Sequence, residues 1–264
     1  MAERHPLARR VVVVLDASPE NPSLLEAAAD LARRLQSELL ATFVEDANLM
    51  RLTELPFLRA VDPFSGAARE LNSSTMERAV RAYATRAEET LSRIAAGTRL
   101  RWSFSTVQGT GFSGVLSSAS DSDLVILGGT SGAATLFSHE PPPHRPGPVL
   151  VLRGRLRPGA PVVVLYPGPE AGSRSLEAAS FLAEAWDSPL VLLTPQETPG
   201  RLPPMPPGRP QVRLRSLPEA DAPSILEAIR EEGDGALLVL PVGTDPKLLR
   251  ELLESGRCPV MIVP

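Results

Sequence analysis

Three segments of this chain recur, in the same order, in its second half. VVVVLDASPENPSLLEAAADLA from Val11 answers to PVVVLYPGPEAGSRSLEAASFLA from Pro161, DLVILGG from Asp123 to ALLVLPV from Ala236, and GPVLVL from Gly147 to CPVMIV from Cys258. Self-similarity in a fixed order confines the fold to two related units, each opening on an apolar run, a polar turn and an Ala-rich amphipathic stretch. The junction falls in RGRLRPGA, residues 153–160, so the units span 1–155 and 156–264.

Within each unit, apolar runs of four or five residues alternate with helical patterns. A strand buried on both faces reads as a continuous apolar run, and strand–helix alternation implies a parallel sheet, so the fold class is α/β. The runs predict strands at 11–15, 38–44, 99–107, 123–128 and 148–152, and again at 161–166, 189–194, 211–216, 236–240 and 258–263. The first helix is expected at Asn21-Pro22, with Asn21 as N-cap and proline in the first turn, where its missing N–H costs nothing. Ser74, with Glu77 three residues on, has capping-box spacing and predicts a second helix. A shorter helix is expected at 111–119, and the second unit should carry helices at 173–185, 222–231 and 246–254. Where the first unit has its long second helix, the second has PQETPGRLPPMPPGRP, residues 195–210. Proline at that density removes amide donors and clashes with preceding turns, so the second unit is shortened there to a loop and lacks the second helix.

Composition narrows the function. Hydrophobic residues make up 43% of the chain and charged ones 22%, the balance of a globular protein. The longest apolar runs are strand-length, far short of the roughly 20 residues a membrane helix needs, so no membrane association is expected. MAERHPLARR lacks the apolar segment of a signal peptide and reads as a solvated leader, with Arg4, His5, Arg9 and Arg10 in water. Cys258 is the single cysteine, which forbids an intrachain disulfide and fits a reducing, cytoplasmic setting. A formal net charge of -4 argues against general affinity for nucleic acid. Lys247 is the only lysine and stands in DPKLLR, so the chain has no Walker A loop.

Ligands of open α/β sheets sit beyond the carboxyl ends of the strands, where the strand order reverses. In the first unit both relevant turns are polar: Asp16-Ala17-Ser18 after the first strand, and Gly128-Gly129-Thr130-Ser131-Gly132 after the fourth. Glycines there let backbone amides approach an anion, and hydroxyls add donors, which holds a phosphate without lysine. The G-G-T-S-G run equally suits a plain flexible connection. Asp16 with Ser18 equally suits a turn hydrogen bond, since no histidine stands nearby as a base. His139, Glu140 and His144 lack H-E-x-x-H spacing, and residues 141–143 are prolines that break the helical face a zinc motif needs, so no metal site is expected there.

VVVVLDAS with its Ala-rich helix, FVED closing the second strand, DLVILGG and GPVLVL together resemble the universal stress protein family, over nearly the whole chain and more loosely in the second unit. The resemblance implies two tandem Rossmann-like domains of the adenine nucleotide alpha hydrolase type. Each would be a five-stranded parallel sheet of strand order 3-2-1-4-5. The domains would pair through their last strands as an intrachain pseudo-dimer, with a homodimer as a further option. It implies a stress-associated regulatory binding module for a small-molecule ligand, ATP or AMP, with magnesium if the ligand is ATP. On matching positions, Asp16 stands for the family aspartate near the phosphates and metal, with Ala17 in the same turn, and Val44 for the residue whose backbone meets adenine. Gly129 and Gly132 supply the first G-x-x-G spacing of the family's nucleotide loop, with Gly128 as the alternative first glycine. The family pattern then runs to a Gly-Ser or Gly-Thr pair; here AATLFSHEPPPHRPGP follows without it, and Ser138 is the candidate substitute.

The second unit ends its first strand in Tyr166-Pro167 and its fourth in Pro241-Val242-Gly243-Thr244, with Asp245-Pro246 to cap the next helix and no G-x-x-G there. A unit kept for folding and pairing is expected, with an anion at the helix start near Thr244 as a residual option. Residues 45–71 form an insertion with many large apolar side chains, among them Leu49, Phe57 and Phe64, as a cover for the sheet edge or as a lid and partner surface. Two other functions remain open on sequence: a ligand-free scaffold working through that insertion, and a slow ATP hydrolase. The hydrolase needs a water-activating group near Asp16; none is visible, and no catalytic residue is assigned.

Overall fold

The computed structural model describes residues 7–46, 59–61, 68–70, 73–109, 113–121, 123–128, 147–157, 159–196 and 211–264. Its strands are β1 (Arg10–Leu15), β2 (Glu38–Asp46), β3 (Arg59–Val61), β4 (Ala68–Glu70), β5 (Trp102–Gly109), β6 (Asp123–Gly128), β7 (Val149–Leu152), β8 (Val162–Leu165), β9 (Leu190–Pro195), β10 (Val212–Leu217), β11 (Leu237–Pro241) and β12 (Val260–Val263). Its helices are α1 (Asn21–Arg34), α2 (Ser73–Ala95), α3 (Ser113–Ser118), α4 (Pro169–Trp186), α5 (Ala222–Glu232) and α6 (Pro246–Ser255).

Two separate five-stranded sheets do not form. Ten strands make one sheet in the order β10-β9-β8-β11-β12-β7-β6-β1-β2-β5, while β3 and β4 pair antiparallel apart from it. Every neighbouring pair in the large sheet is parallel except β7 and β12, the last strand of each half. Each of these would otherwise leave a row of unpaired N–H and C=O groups at an open edge, and joining the two satisfies both. Val149 faces Ile262, Leu150 faces Met261 and Val151 faces Val260, a register symmetric about the Leu150–Met261 pair. Within each half the strand order is 3-2-1-4-5.

Side-chain alternation sorts the sheet into two faces. Val11, Val13 and Leu15 pack with α1, α2 and α4 in one core that runs across both halves, reaching Leu150, Val162 and Met261. On the opposite face α5 and α6 cover the second half through Ile225, Ile229, Leu249 and Leu252. The first half is covered there by Val115 of the short α3, against Val12, Val14, Val44, Val125 and Leu127.

Several local expectations are corrected. Arg10 is not part of a solvated leader: it opens β1 and binds Asp123, and Ala8 ahead of it is 1% exposed. Asn21 does not cap α1; Glu20 holds the N-cap position without a side-chain bond, and the Asn21 amide donates to the Asp16 carbonyl at 2.6 Å. Helix α2 starts at Ser73, so Ser74 lies within its first turn rather than ahead of it, and Glu77 pairs with Arg81 at 3.4 Å. Helix α4 begins at Pro169, ahead of the expected 173. Asp245 does cap α6, accepting from the Leu248 amide at 3.4 Å. Most of the 45–71 insertion and the proline-rich stretch from 197 to 210 lie outside the described residues. Among the described residues no helix is long and apolar enough to cross a membrane.

The hydrogen-bond register also corrects the phase of the internal match. Val11 pairs with Leu39 and Leu124, and Val162 pairs with Leu190 and Leu237. With Asp123 matched to Ala236, and with Val162, Val164 and Tyr166 sharing the core of Val11, Val13 and Leu15 while Leu165 packs on the opposite face, Val162 and not Pro161 is the counterpart of Val11. Tyr166 stands where the first half has Leu15, and Pro167 where it has Asp16.

Candidate functional site

On the face of the first half where, among the described residues, only α3 covers the sheet, a groove of about 560 Å³ runs along it. Its floor is Val12 of β1, Thr42 and Val44 of β2, and Ser105 and Val107 of β5; Gly114, Val115 and Ser118 of α3 line one side. Helix α3 has only six residues, so it shields a short length of these strands. Thr42 and Ser105 face each other in register, with the Ser105 hydroxyl 3.5 Å from that of Thr42. The amino-terminal end of the groove is closed by Arg10 and Asp123. Arg10 donates through Nε at 3.0 Å and Nη2 at 2.6 Å to the two oxygens of Asp123, which also accepts from the Ser120 amide at 2.8 Å. Burial pushes the Asp123 carboxyl up, but these bonds outweigh it and hold it below the ordinary aspartate range.

At the carboxyl-terminal end, Val44 is buried at 5% exposure in the groove floor. Asp16 follows β1 directly, one residue beyond its last paired position, and does not itself line the groove. It is half-buried, and burial raises its carboxyl above the ordinary range even though the Ser18 amide donates to it. The turn around it is tied down: the Ser18 hydroxyl accepts from the Glu20 amide at 3.2 Å, and Asn21 holds the Asp16 carbonyl. Ala17 is exposed. A carboxylate whose charge the fold leaves undercompensated suits a cationic partner. Among the described residues no group of three or more His, Cys, Asp or Glu side chains could hold a metal by itself. Asp16 can supply one oxygen to a magnesium ion whose other ligands are phosphate oxygens and water, the usual manner for that ion.

Gly128 ends β6 on the other parity, with Leu124 and Ile126, and a side chain there would meet Leu24 of α1 at 3.6 Å. The structure thus places Val44 on the groove face and turns the Gly128 α-carbon to the other, with Asp16 in the turn just beyond β1. Gly129, Thr130, Ser131, Gly132 and Ser138 lie outside the described residues. Arg10 and Asp123 escaped the sequence reading, although an aspartate heading the buried run LVIL needs a charged or hydrogen-bonding partner.

The fold as a whole is shared with solved structures. A universal stress protein from Archaeoglobus fulgidus DSM 4304 superposes with a TM-score of 0.64 at 14% identity, over 96% of this chain and 95% of that one. The chain has the universal-stress-protein fold. A functionally unknown protein from Pseudomonas aeruginosa PAO1 shares that fold with a TM-score of 0.55 at 13% identity, over 97% of this chain and 92% of that one. So does a protein provisionally assigned to the universal stress proteins from Pseudomonas aeruginosa UCBPP-PA14, with a TM-score of 0.53 at 13% identity over 97% and 93% of the two chains. Neither a protein-family model nor a curated protein matches the chain by sequence.

Within the universal-stress-protein fold the two halves differ at the site. The corrected register places Pro167 opposite Asp16. It also places Pro195 opposite Val44, since Leu39 and Leu190 are equivalent, and Pro241 opposite Gly128, since Leu124 and Leu237 are equivalent. Tyr166, one position earlier, turns into the α4 core, where its ring lies so close to Gly172 that a Cβ there would sit 2.6 Å from it. In the second half the Thr244 hydroxyl is engaged, donating to the Pro241 carbonyl at 2.6 Å.

Proposed function

We propose that this chain is a member of the universal stress protein family, a stress-associated regulatory binding module of two tandem domains, 1–155 and 156–264, whose first domain alone binds an adenine nucleotide. The observation that carries this reading is the one-sided chemistry at the strand ends. Asp16, Val44 and Gly128 stand in the first half where Pro167, Pro195 and Pro241 stand in the second. A proline offers no N–H to a ligand and no charge to a metal, so at these three positions the second half presents no amide donor to a base or phosphate and no carboxylate to magnesium. Its role is to supply β12 to the seam and complete the shared core.

In the first half the purine lies against Val44 at the open end of the groove, a flat apolar surface edged by backbone polar groups. Asp16 and the Ser18 turn face the phosphates, with magnesium between Asp16 and the phosphate oxygens when the ligand is ATP. The family motif assigns the phosphates to Gly128, Gly129, Thr130, Ser131 and Gly132, with Ser138 as the substitute hydroxyl. On this reading the function is binding rather than turnover.

Equilibrium titration with ATP, ADP and AMP tests this reading. It expects one site per chain, weakened by Asp16→Ala for ATP in magnesium more than for AMP. Undetectable binding at millimolar nucleotide, or two equivalent sites per chain, overturns it.

A further inference from the structure

A second cleft, of about 780 Å³, opens on the opposite face of the sheet, where α1 passes the junction of the two halves. Leu24, Leu152 and Leu156 give it an apolar lining. Its junction side carries Arg153, Arg155 and Arg257, two from the linker after β7 and one from the loop entering β12. Among the described residues none of the three is in an ion pair, whereas Arg10, Arg33, Arg34, Arg81, Arg213 and Arg215 all are.

The backbone forces this convergence. Gly154 has φ +76°, in the left-handed region, and a Cβ on it would run into the carbonyl oxygen of Arg257. The R-G-R turn therefore closes on the other half only because residue 154 is glycine. Guanidinium groups gathered on one wall repel each other, and their forked donors match the oxygens of a phosphate. Across the cleft stand Glu20, the N-cap of α1, and Glu26 within the helix, while Asp30 is occupied by Arg33 at 3.1 Å and Arg34 at 2.8 Å. An acidic wall facing a basic one disfavours a long polyanion and admits a compact one.

We propose that this junction cleft is an anion site, separate from the Val44 groove, that takes a small phosphorylated molecule with its phosphate on Arg153, Arg155 and Arg257. Because those arginines come from both halves, occupancy ties the halves together and reports on the seam. The probe is inorganic pyrophosphate, titrated calorimetrically into the full chain. Saturable binding is expected, weakened about tenfold by Arg155→Ala and by Arg257→Ala, as loss of a charge-assisted pair requires. Both side chains are exposed, so the unfolding midpoint of the free variants should match that of the native chain. Asp16→Ala should leave pyrophosphate binding intact, which separates this site from the nucleotide groove. Equal affinity in the native chain and both arginine variants, loss of binding on Asp16→Ala, no binding at millimolar pyrophosphate, or tighter binding of an oligonucleotide than of pyrophosphate would each overturn the proposal.

Discussion

Arg10 and Asp123, 113 positions apart in sequence, clamp the amino ends of β1 and β6 with two parallel hydrogen bonds of 3.0 and 2.6 Å. The Asp123 side chain is 1% exposed and that of Arg10 42%. Arg10→Ala leaves the buried carboxylate with Ser120 alone, through its amide and its side chain. The expected cost is about 2 kcal/mol at pH 7, at the low end for a broken buried pair because water reaches the arginine. The pair occupies positions that are Pro161 and Ala236 in the second half, so the fold closes without it there. Urea unfolding should therefore find Arg10→Ala/Asp123→Ala less destabilised than Arg10→Ala. The Asp123 carboxyl is held below its ordinary value, so its contribution is present above the unfolded pKa of about 3.9 and is lost as pH falls through the folded one. The deficit of Arg10→Ala should shrink in that acid range.

Asp16 shifts the other way. Burial raises its carboxyl above the ordinary value, so the ionised form is disfavoured in the folded chain, and protonation relieves this as pH falls through the raised pKa. Asp16→Asn keeps an acceptor for the Ser18 amide and removes the charge. Thermal unfolding at pH 7 should show a midpoint equal to the native one or higher by about 2 °C, with the difference vanishing near pH 4. A lower midpoint at pH 7 contradicts the assignment of Asp16 as a binding rather than a structural residue.

Leu150 and Met261 meet at the centre of the seam, each fully buried. A single apolar core runs through that seam, so the halves should unfold together. The two tryptophans, Trp102 in β5 and Trp186 in α4, report one half each. In Trp102→Phe and Trp186→Phe variants, fluorescence should give coincident urea midpoints. Met261→Asp should lower both by several kcal/mol equivalents, on the order of 4 kcal/mol for an unpaired buried charge. Midpoints that separate contradict a shared core.

Cys258 is buried, and burial pushes its thiol up to about 11, against a smaller opposite pull from Arg153. About one thiol in a thousand is then ionised at pH 8, and thiolate is the reactive form. Iodoacetamide should modify the native chain far more slowly than the urea-unfolded chain, as read by mass spectrometry. Rapid, complete alkylation of folded protein contradicts the burial.

The strands were legible because parallel strands covered on both faces must be apolar throughout, as in Val11–Leu15 and Leu237–Leu240. The phase of the internal match was not. Pro161 resembles the counterpart of Val11 because both open a VVV run, and only hydrogen-bond partners reveal the one-residue offset. That offset set Tyr166 rather than Pro167 against Asp16, while Pro241 already matched Gly128 in sequence. Arg10 read as tail because it adjoins Arg9 and the ion pair is far away in sequence, while Asn21 had two local uses and took the bond to Asp16. Asp16 and Val44 were legible as candidates from a family motif. The junction arginines were not, since Arg153, Arg155 and Arg257 come together only through the pairing of β7 with β12.

Amide-resolved NMR of the labelled chain during ATP titration tests the one-sided site most directly. The account predicts shifts at Asp16, Ala17, Ser18, Val44 and Gly128, and none at Tyr166, Gly168, Gln196 and Val242, the neighbours of the three prolines. Shifts in the second set, or an unmoved first set at millimolar ATP, would contradict it.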